Sequence, residues 1–167
     1  LGVLISPLTG CEKSTQHKSN FPSVAKKFSK NTALTGTVSA KNQLITTGSV
    51  KATDSKGQQV GSTELSNSNR YKIEIPAGTE LPIVLTFSPG PTSPYKESLV
   101  SAVVIPNLTT YDLNPFTTAI AQKAKSLGGY THENMLVAAE SSVHLPDENK
   151  TSGGWRGDPT KQYGGWH

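Results

Sequence analysis

The sequence predicts a mainly β fold: a small antiparallel β-sandwich with one or two C-terminal helices and flexible tails. Three observations carry this expectation. Between residues 34 and 105, short runs of alternating apolar and polar residues are separated by clusters of Gly, Pro, Asn and Asp. Helical spacing of apolar residues emerges only after residue 113. Hydrophobic residues make up 34% of the chain and aromatics 7%, below the ~45–50% apolar content of a globular domain, a figure that also counts Gly. Part of the 167 residues is therefore expected to serve as linker or tail.

The elements follow in order. Leu34-Thr35-Gly36-Thr37-Val38-Ser39-Ala40 reads as a first strand. Ser49-Val50-Lys51-Ala52-Thr53 is a second, and Asp54-Ser55-Lys56-Gly57 turns it into a third over residues 59–65. After the Asn67-Ser68-Asn69 turn comes the clearest alternation in the chain, Arg70-Tyr71-Lys72-Ile73-Glu74-Ile75. Its Tyr71, Ile73 and Ile75 are assigned to the core. Pro76-Ala77-Gly78 is a tight turn, residues 81–87 form a more continuously apolar strand, and residues 99–105 a buried one beyond a loop holding Pro89, Pro91 and Pro94. Asn114 is a natural helix N-cap with Pro115 at the first helical position. Phe116, Ile120, Ala124 and Leu127 then recur at helical spacing up to Gly128. Thr131 is the expected cap of a second short helix with Met135, Leu136 and Ala139 facing inward, and both helices are expected to pack on the sandwich. Upstream, residues 12–33 read as a linker with one helical turn around residues 24–28.

Three stretches resemble the carboxypeptidase-regulatory-like family of small sandwiches, of immunoglobulin-like or prealbumin-like architecture. They are Thr35-Gly36-Thr37-Val38, the run from Val50 to Gly57, and Tyr71-Lys72-Ile73-Glu74-Ile75-Pro76-Ala77-Gly78. The loop after Phe87 is longer and richer in proline than the family pattern. The resemblance implies a non-catalytic module for stability, adhesion or assembly. Leu113-Asn114-Pro115-Phe116-Thr117-Thr118 is similar to a segment that bacterial lipoproteins with such sandwiches place before a helix.

The chain holds one cysteine, Cys11, which excludes an internal disulfide and a cysteine-based zinc site. It is preceded by the apolar Leu1-Gly2-Val3-Leu4-Ile5 and then by Leu8-Thr9-Gly10. Leu8-Thr9-Gly10-Cys11 resembles the lipobox of bacterial lipoproteins, in which small residues let a signal peptidase grip an extended backbone and the cysteine thiol receives diacylglycerol. The resemblance implies lipidation of Cys11, removal of residues 1–10, and a bilayer as partner. The charged start of such a signal is not among these ten residues, so the reading expects the natural chain to extend upstream. Glu12, in place of the Asp that commonly retains lipoproteins at the inner membrane, favours the outer membrane of a bacterial envelope.

Charge placement supports a tether. The formal net charge is +4, and Lys13, Lys18, Lys26, Lys27 and Lys30 against Glu12 account for all of it. The remainder is balanced, so nucleic-acid binding by the body is not expected. No run of 18 apolar residues predicts a membrane-spanning helix.

No nucleophile–base pairing, phosphate-cradling loop or His-Glu-x-x-His motif occurs, so neither catalysis nor a cofactor is expected. His132 beside Glu133 reads as a helix-start pair on the surface, and His17, His144 and His167 lack ligand spacing. The tail carries Gly153-Gly154-Trp155 and Gly164-Gly165-Trp166. Trp155, Tyr163 and Trp166 are the candidate contacts for a protein partner, since aromatics between flexible glycines suit a partner's groove. The organisation that results is a signal end over residues 1–10, a lipidated basic linker over 11–33, a sandwich over 34–112, a helical segment over 113–145, and an extended Gly/Trp tail over 146–167. The leading expectation is a membrane-anchored, non-catalytic subunit of a larger envelope or membrane complex. The alternative is a cell-surface module binding a glycan or a metal, which would show a groove lined by aromatics drawn from Tyr71, Phe87, Tyr95 and Tyr111.

Overall fold

The structure, a computed structural model, describes residues 2–3, 25–41 and 43–143. It contains six strands and two helices: β1 (Thr32–Thr37), β2 (Gly48–Thr53), β3 (Gln59–Glu64), β4 (Arg70–Ile75), β5 (Ile83–Pro89), β6 (Leu99–Val103), α1 (Pro115–Ser126) and α2 (His132–Val143). One sheet has the order β3-β2-β5-β6, and the other pairs β1 with β4, all antiparallel. The two sheets pack face to face as a small β-sandwich, so the predicted fold class holds.

Alternation decides which residues fill the space between the sheets. In β4, Tyr71, Ile73 and Ile75 are buried while Arg70, Lys72 and Glu74 are exposed, because successive side chains of a strand point to opposite faces. The facing layer comes from Val50 and Ala52 of β2, from Ile83, Leu85 and Phe87 of β5, and from Leu99 and Val103 of β6. Each large aliphatic buried here contributes about 1.5–3 kcal/mol relative to exposure. The turns form as their residues dictate. Asp54 Oδ1 accepts from the Lys56 and Gln58 amides at 2.9 Å, and Gly57 takes a positive φ of 78° that a side chain would disfavour.

The smaller sheet gains a third member that alternation does not reveal. Residues 109–113 run parallel to β1: the Thr35 N–H donates to Thr109 O at 2.9 Å, and the Tyr111 and Leu113 N–H groups donate to Thr35 O and Thr37 O at 2.8 Å. Asp112 Oδ1 accepts from both the amide and the hydroxyl of Thr37 at 2.9 Å. The buried Tyr71 hydroxyl donates to Tyr111 O at 2.5 Å, fastening β4 to the same segment. This docking requires Gly36, since a Cβ there would stand 1.8 Å from Tyr111 O and 2.6 Å from its carbonyl carbon.

The motif at the start of α1 explains itself in three dimensions. Asn114 Oδ1 accepts from the Thr117 amide at 2.8 Å, and the Thr117 hydroxyl accepts from the Asn114 amide at 3.1 Å, a reciprocal capping box. The same Thr117 hydroxyl lies 3.0 Å from Val100 O, and Thr118 Oγ1 accepts from the Val100 amide at 2.9 Å. Two threonine side chains thus occupy the place of a neighbouring strand on the outer edge of β6. Edge strands with unmet backbone groups invite pairing with another chain, and at Val100 this edge is covered.

Three expectations are corrected by the structure. The segment expected as a helical turn around residues 24–28 is extended where it is described, from residue 25 onward, because Phe28 is buried and its backbone pairs with residues 78–81. The ordered body therefore takes in residues upstream of 34. Only α1 lies directly along β6, whereas α2 packs principally on α1. On α2, Met135, Ala138 and Ala139 are fully buried but Leu136 only partly so, since the helix buries one narrow stripe. Thr131 does cap α2, its hydroxyl accepting from the Asn134 amide at 3.1 Å.

Two outcomes are expected in urea unfolding. Gly36→Ala forces two backbones apart and lowers stability by about 3 kcal/mol or more, whereas Gly90→Ala, whose Cβ would meet nothing nearer than 3.5 Å, leaves the midpoint nearly unchanged. Thr117→Val removes the capping partner and the edge contact together, costs about 1–3 kcal/mol, and raises the fraction of dimer and larger species in light scattering.

Candidate functional site

The residues expected to act, Cys11, Trp155, Tyr163 and Trp166, lie outside the described residues, as do His17, His144 and His167. What the structure does define is where residues 25 and 143, the limits of the described body, lie on it.

Residue 25 joins the body at the end of the sandwich formed by the β2–β3 hairpin, the 76–79 turn and residues 103–108. This is the near pole. The chain is held there by a short antiparallel clip. Leu81 N–H donates to Lys26 O at 2.7 Å, Phe28 N–H to Thr79 O at 3.1 Å, and Gly78 N–H to Phe28 O at 2.7 Å. Asn31 Oδ1 accepts from the Ala77 amide at 2.9 Å. The Phe28 ring is buried in the core cluster, so the clip has an apolar plug as well as backbone bonds. Lys26, Lys27 and Lys30 remain exposed. Close by, Lys56 and Glu80 form an exposed pair at 4.0 Å, a contact of little net value in water.

The chain's departure is set by the helices. α1 starts beside Val100, at the opposite end of the sandwich, the far pole, and runs back toward the near pole. The 127–131 connection then reverses direction, with Gly128 and Gly129 at φ of 122° and 134°. α2 starts at the near pole, where His132 and Glu133 share a cleft of about 310 Å³ with Lys26, Leu81 and Val104. Packed along α1, its twelve residues rise about 18 Å, so residue 143 lies toward the far pole. The described body therefore begins, at residue 25, at one end and finishes, at residue 143, toward the other.

In the near-pole cleft, His132 and Glu133 stand with Lys26, Tyr130 and Thr131. His132 is partly buried and its Nδ1 lacks a hydrogen-bond partner among the described residues, while the neighbouring Thr131 hydroxyl is engaged in capping α2. Among the described residues, no group of three His, Cys, Asp or Glu side chains gathers as metal ligands would. The buried hydroxyls of Thr117 and Tyr71 serve the fold, as shown above. Of the aromatics named for a glycan groove, Tyr71, Phe87 and Tyr111 are core residues. Tyr95 is half-buried, and its phenol is held above the ordinary tyrosine range by burial first and by the charge and hydrogen bond of Glu97 second. No stacking groove of the expected kind forms among the described residues.

Two features escaped the sequence. One is the clip, whose only advance sign is Phe28 within a polar stretch. The other is a polar groove at the far pole, assembled from residues scattered between positions 47 and 92 with no local motif.

No family model matches the chain, and no curated protein or solved structure is significantly similar to it.

The clip has a measurable signature. Phe28→Ala is expected to lower stability by about 3–4 kcal/mol and to speed amide hydrogen exchange at Gly78 and Leu81 far more than at Thr35 and Tyr111. Equal acceleration at all four amides would show that residues 26–28 do not form a separable unit.

Proposed function

We propose that this chain is a lipid-anchored, non-catalytic accessory module of a bacterial envelope, tethered through Cys11 and engaging a protein partner with its C-terminal segment. The observation that carries the reading is the opposition of the two poles. With residue 25 at the near pole and residue 143 toward the far pole, the folded body serves as a spacer between membrane and partner. The Leu8-Thr9-Gly10-Cys11 motif supports the anchor. Each acyl methylene buried in a bilayer contributes about 0.8 kcal/mol, and two or more chains hold a protein stably. The residues from Cys11 to Ala25 span at most ~50 Å when fully extended, which keeps the near pole close to the bilayer. Balanced charge over residues 34–143, with eight basic and eight acidic side chains, suits a body that does not itself adhere to polyanions. The outer membrane is the favoured location, and Trp155, Tyr163 and Trp166 are the proposed docking residues within a larger complex.

The expected mature form begins at Cys11 and carries diacylglycerol on sulfur with an acylated amine. Intact-mass measurement of protein from native membranes checks this. Cys11→Ser is expected to shift the protein from the membrane to the soluble fraction with no change in thermal unfolding, and retention of the variant in the membrane would refute the anchor. Replacing Trp155 and Trp166 together by alanine is expected to abolish co-purification of partner subunits while leaving the membrane fraction intact.

A further inference from the structure

The far pole carries a feature that the tethering reading does not use. A groove of about 420 Å³ opens where β2 begins, β3 and β5 end and the proline-rich loop starts, a volume within the ~300–1,000 Å³ range of small-molecule sites. Strand register builds its floor: Ser49 of β2 stands opposite Glu64 of β3 on one side and Ser88 of β5 on the other. Thr47 and Thr92 extend this row. None of these five side chains makes a hydrogen bond or ion pair with another described residue. Elsewhere, threonines such as Thr37, Thr79 and Thr117 spend their hydroxyls on the fold.

Two glycines border the groove. Gly48 sits at φ 140°, with the Phe87 ring and the Ser88 carbonyl where a Cβ would go. Nothing but glycine fits that position, so the groove is fixed by the packing of the core beneath it. Gly90 faces Thr47 and Gly48 across the opening, at ordinary contact distance for an added methyl.

We propose that this groove binds a neutral saccharide through vicinal hydroxyls. Four hydroxyls that each donate and accept, ranged beside one carboxylate, match a ligand that is itself made of hydroxyls. The lone carboxylate repels anions. One carboxylate with neutral hydroxyls is too few charged ligands to hold a divalent cation. Among the described residues no aromatic lines the groove, and its apolar surface is limited to Leu65, Pro89 and Pro91, which disfavours lipids and hydrophobic peptides. Pro89 and Pro91 supply C–H surface for the less polar face of a sugar ring. Recognition is thus by hydrogen bonds rather than stacking, and affinity falls in the millimolar range. The site is independent of the anchor and stands or falls without it.

The test is titration of the isotope-labelled full chain with maltose, lactose and chitobiose, followed by amide chemical shifts. Saturable shifts are expected at Ser49, Glu64, Ser88 and Thr92 for at least one sugar. Glu64→Gln weakens binding about fivefold, the effect of one lost hydrogen bond. Ser49→Ala with Ser88→Ala weakens it further, and Gly90→Ala narrows the groove and lowers affinity with the fold unchanged. An analogue methylated on its ring hydroxyls does not bind. The proposal is overturned if no sugar gives saturable shifts up to about 50 mM, if the shifts map elsewhere, or if the variants, shown to be folded by their unperturbed remaining shifts, bind as the parent does.

Discussion

The close approach of two backbones at Gly36 is the constraint on which the architecture depends. With hydrogen at that Cα, residues 109–113 can lie against β1 and complete the smaller sheet. Tyr71 then reaches across to Tyr111 O, Asp112 engages Thr37, and Leu113 and Asn114 arrive where α1 must begin. Any larger residue at position 36 would push away the segment that delivers both helices. The helical hairpin, the cover over β6 and the position of residue 143 all follow from that contact.

Charge and burial then divide the labour. The core is apolar and its few buried polar groups serve structure: Asn114 and Thr117 cap a helix, and Thr117 also joins β6. Asn114 Nδ2 is left without a partner. An orphaned buried donor costs about 1–3 kcal/mol, tolerated here because the same side chain fixes the start of α1. Five polar side chains without such duties line the groove at the far pole.

Much of the sandwich was legible in the sequence because period-two alternation and turn chemistry are local signals. Arg70-Tyr71-Lys72-Ile73-Glu74-Ile75 announces its buried face directly, Asp54 and Gly57 announce their hairpin, and Asn114-Pro115 announces its helix. The parallel segment at 109–113 was not legible. It is short, carries Thr109, Thr110 and Asp112, and is defined by a partner more than 70 positions upstream. The clip at Phe28 hid for a similar reason, as one apolar residue among lysines has no periodicity to display. The groove was the least visible part, since its polar groups come from three strands and two loops that only register brings side by side. Of the residues chosen as functional, Cys11 was marked by a motif and Trp155, Tyr163 and Trp166 by composition, neither of which depends on the fold.

The threonine cover on β6 also has a meaning in time. The strand is complete once residue 103 has been made, but Thr117 and Thr118 follow some fifteen residues later. At ~5–20 residues per second, β6 spends about one to three seconds of synthesis with bare amides along its flank. Only when the helical segment emerges is that flank sheathed, so the last part of the body to be synthesised protects the part most prone to pair with a stranger.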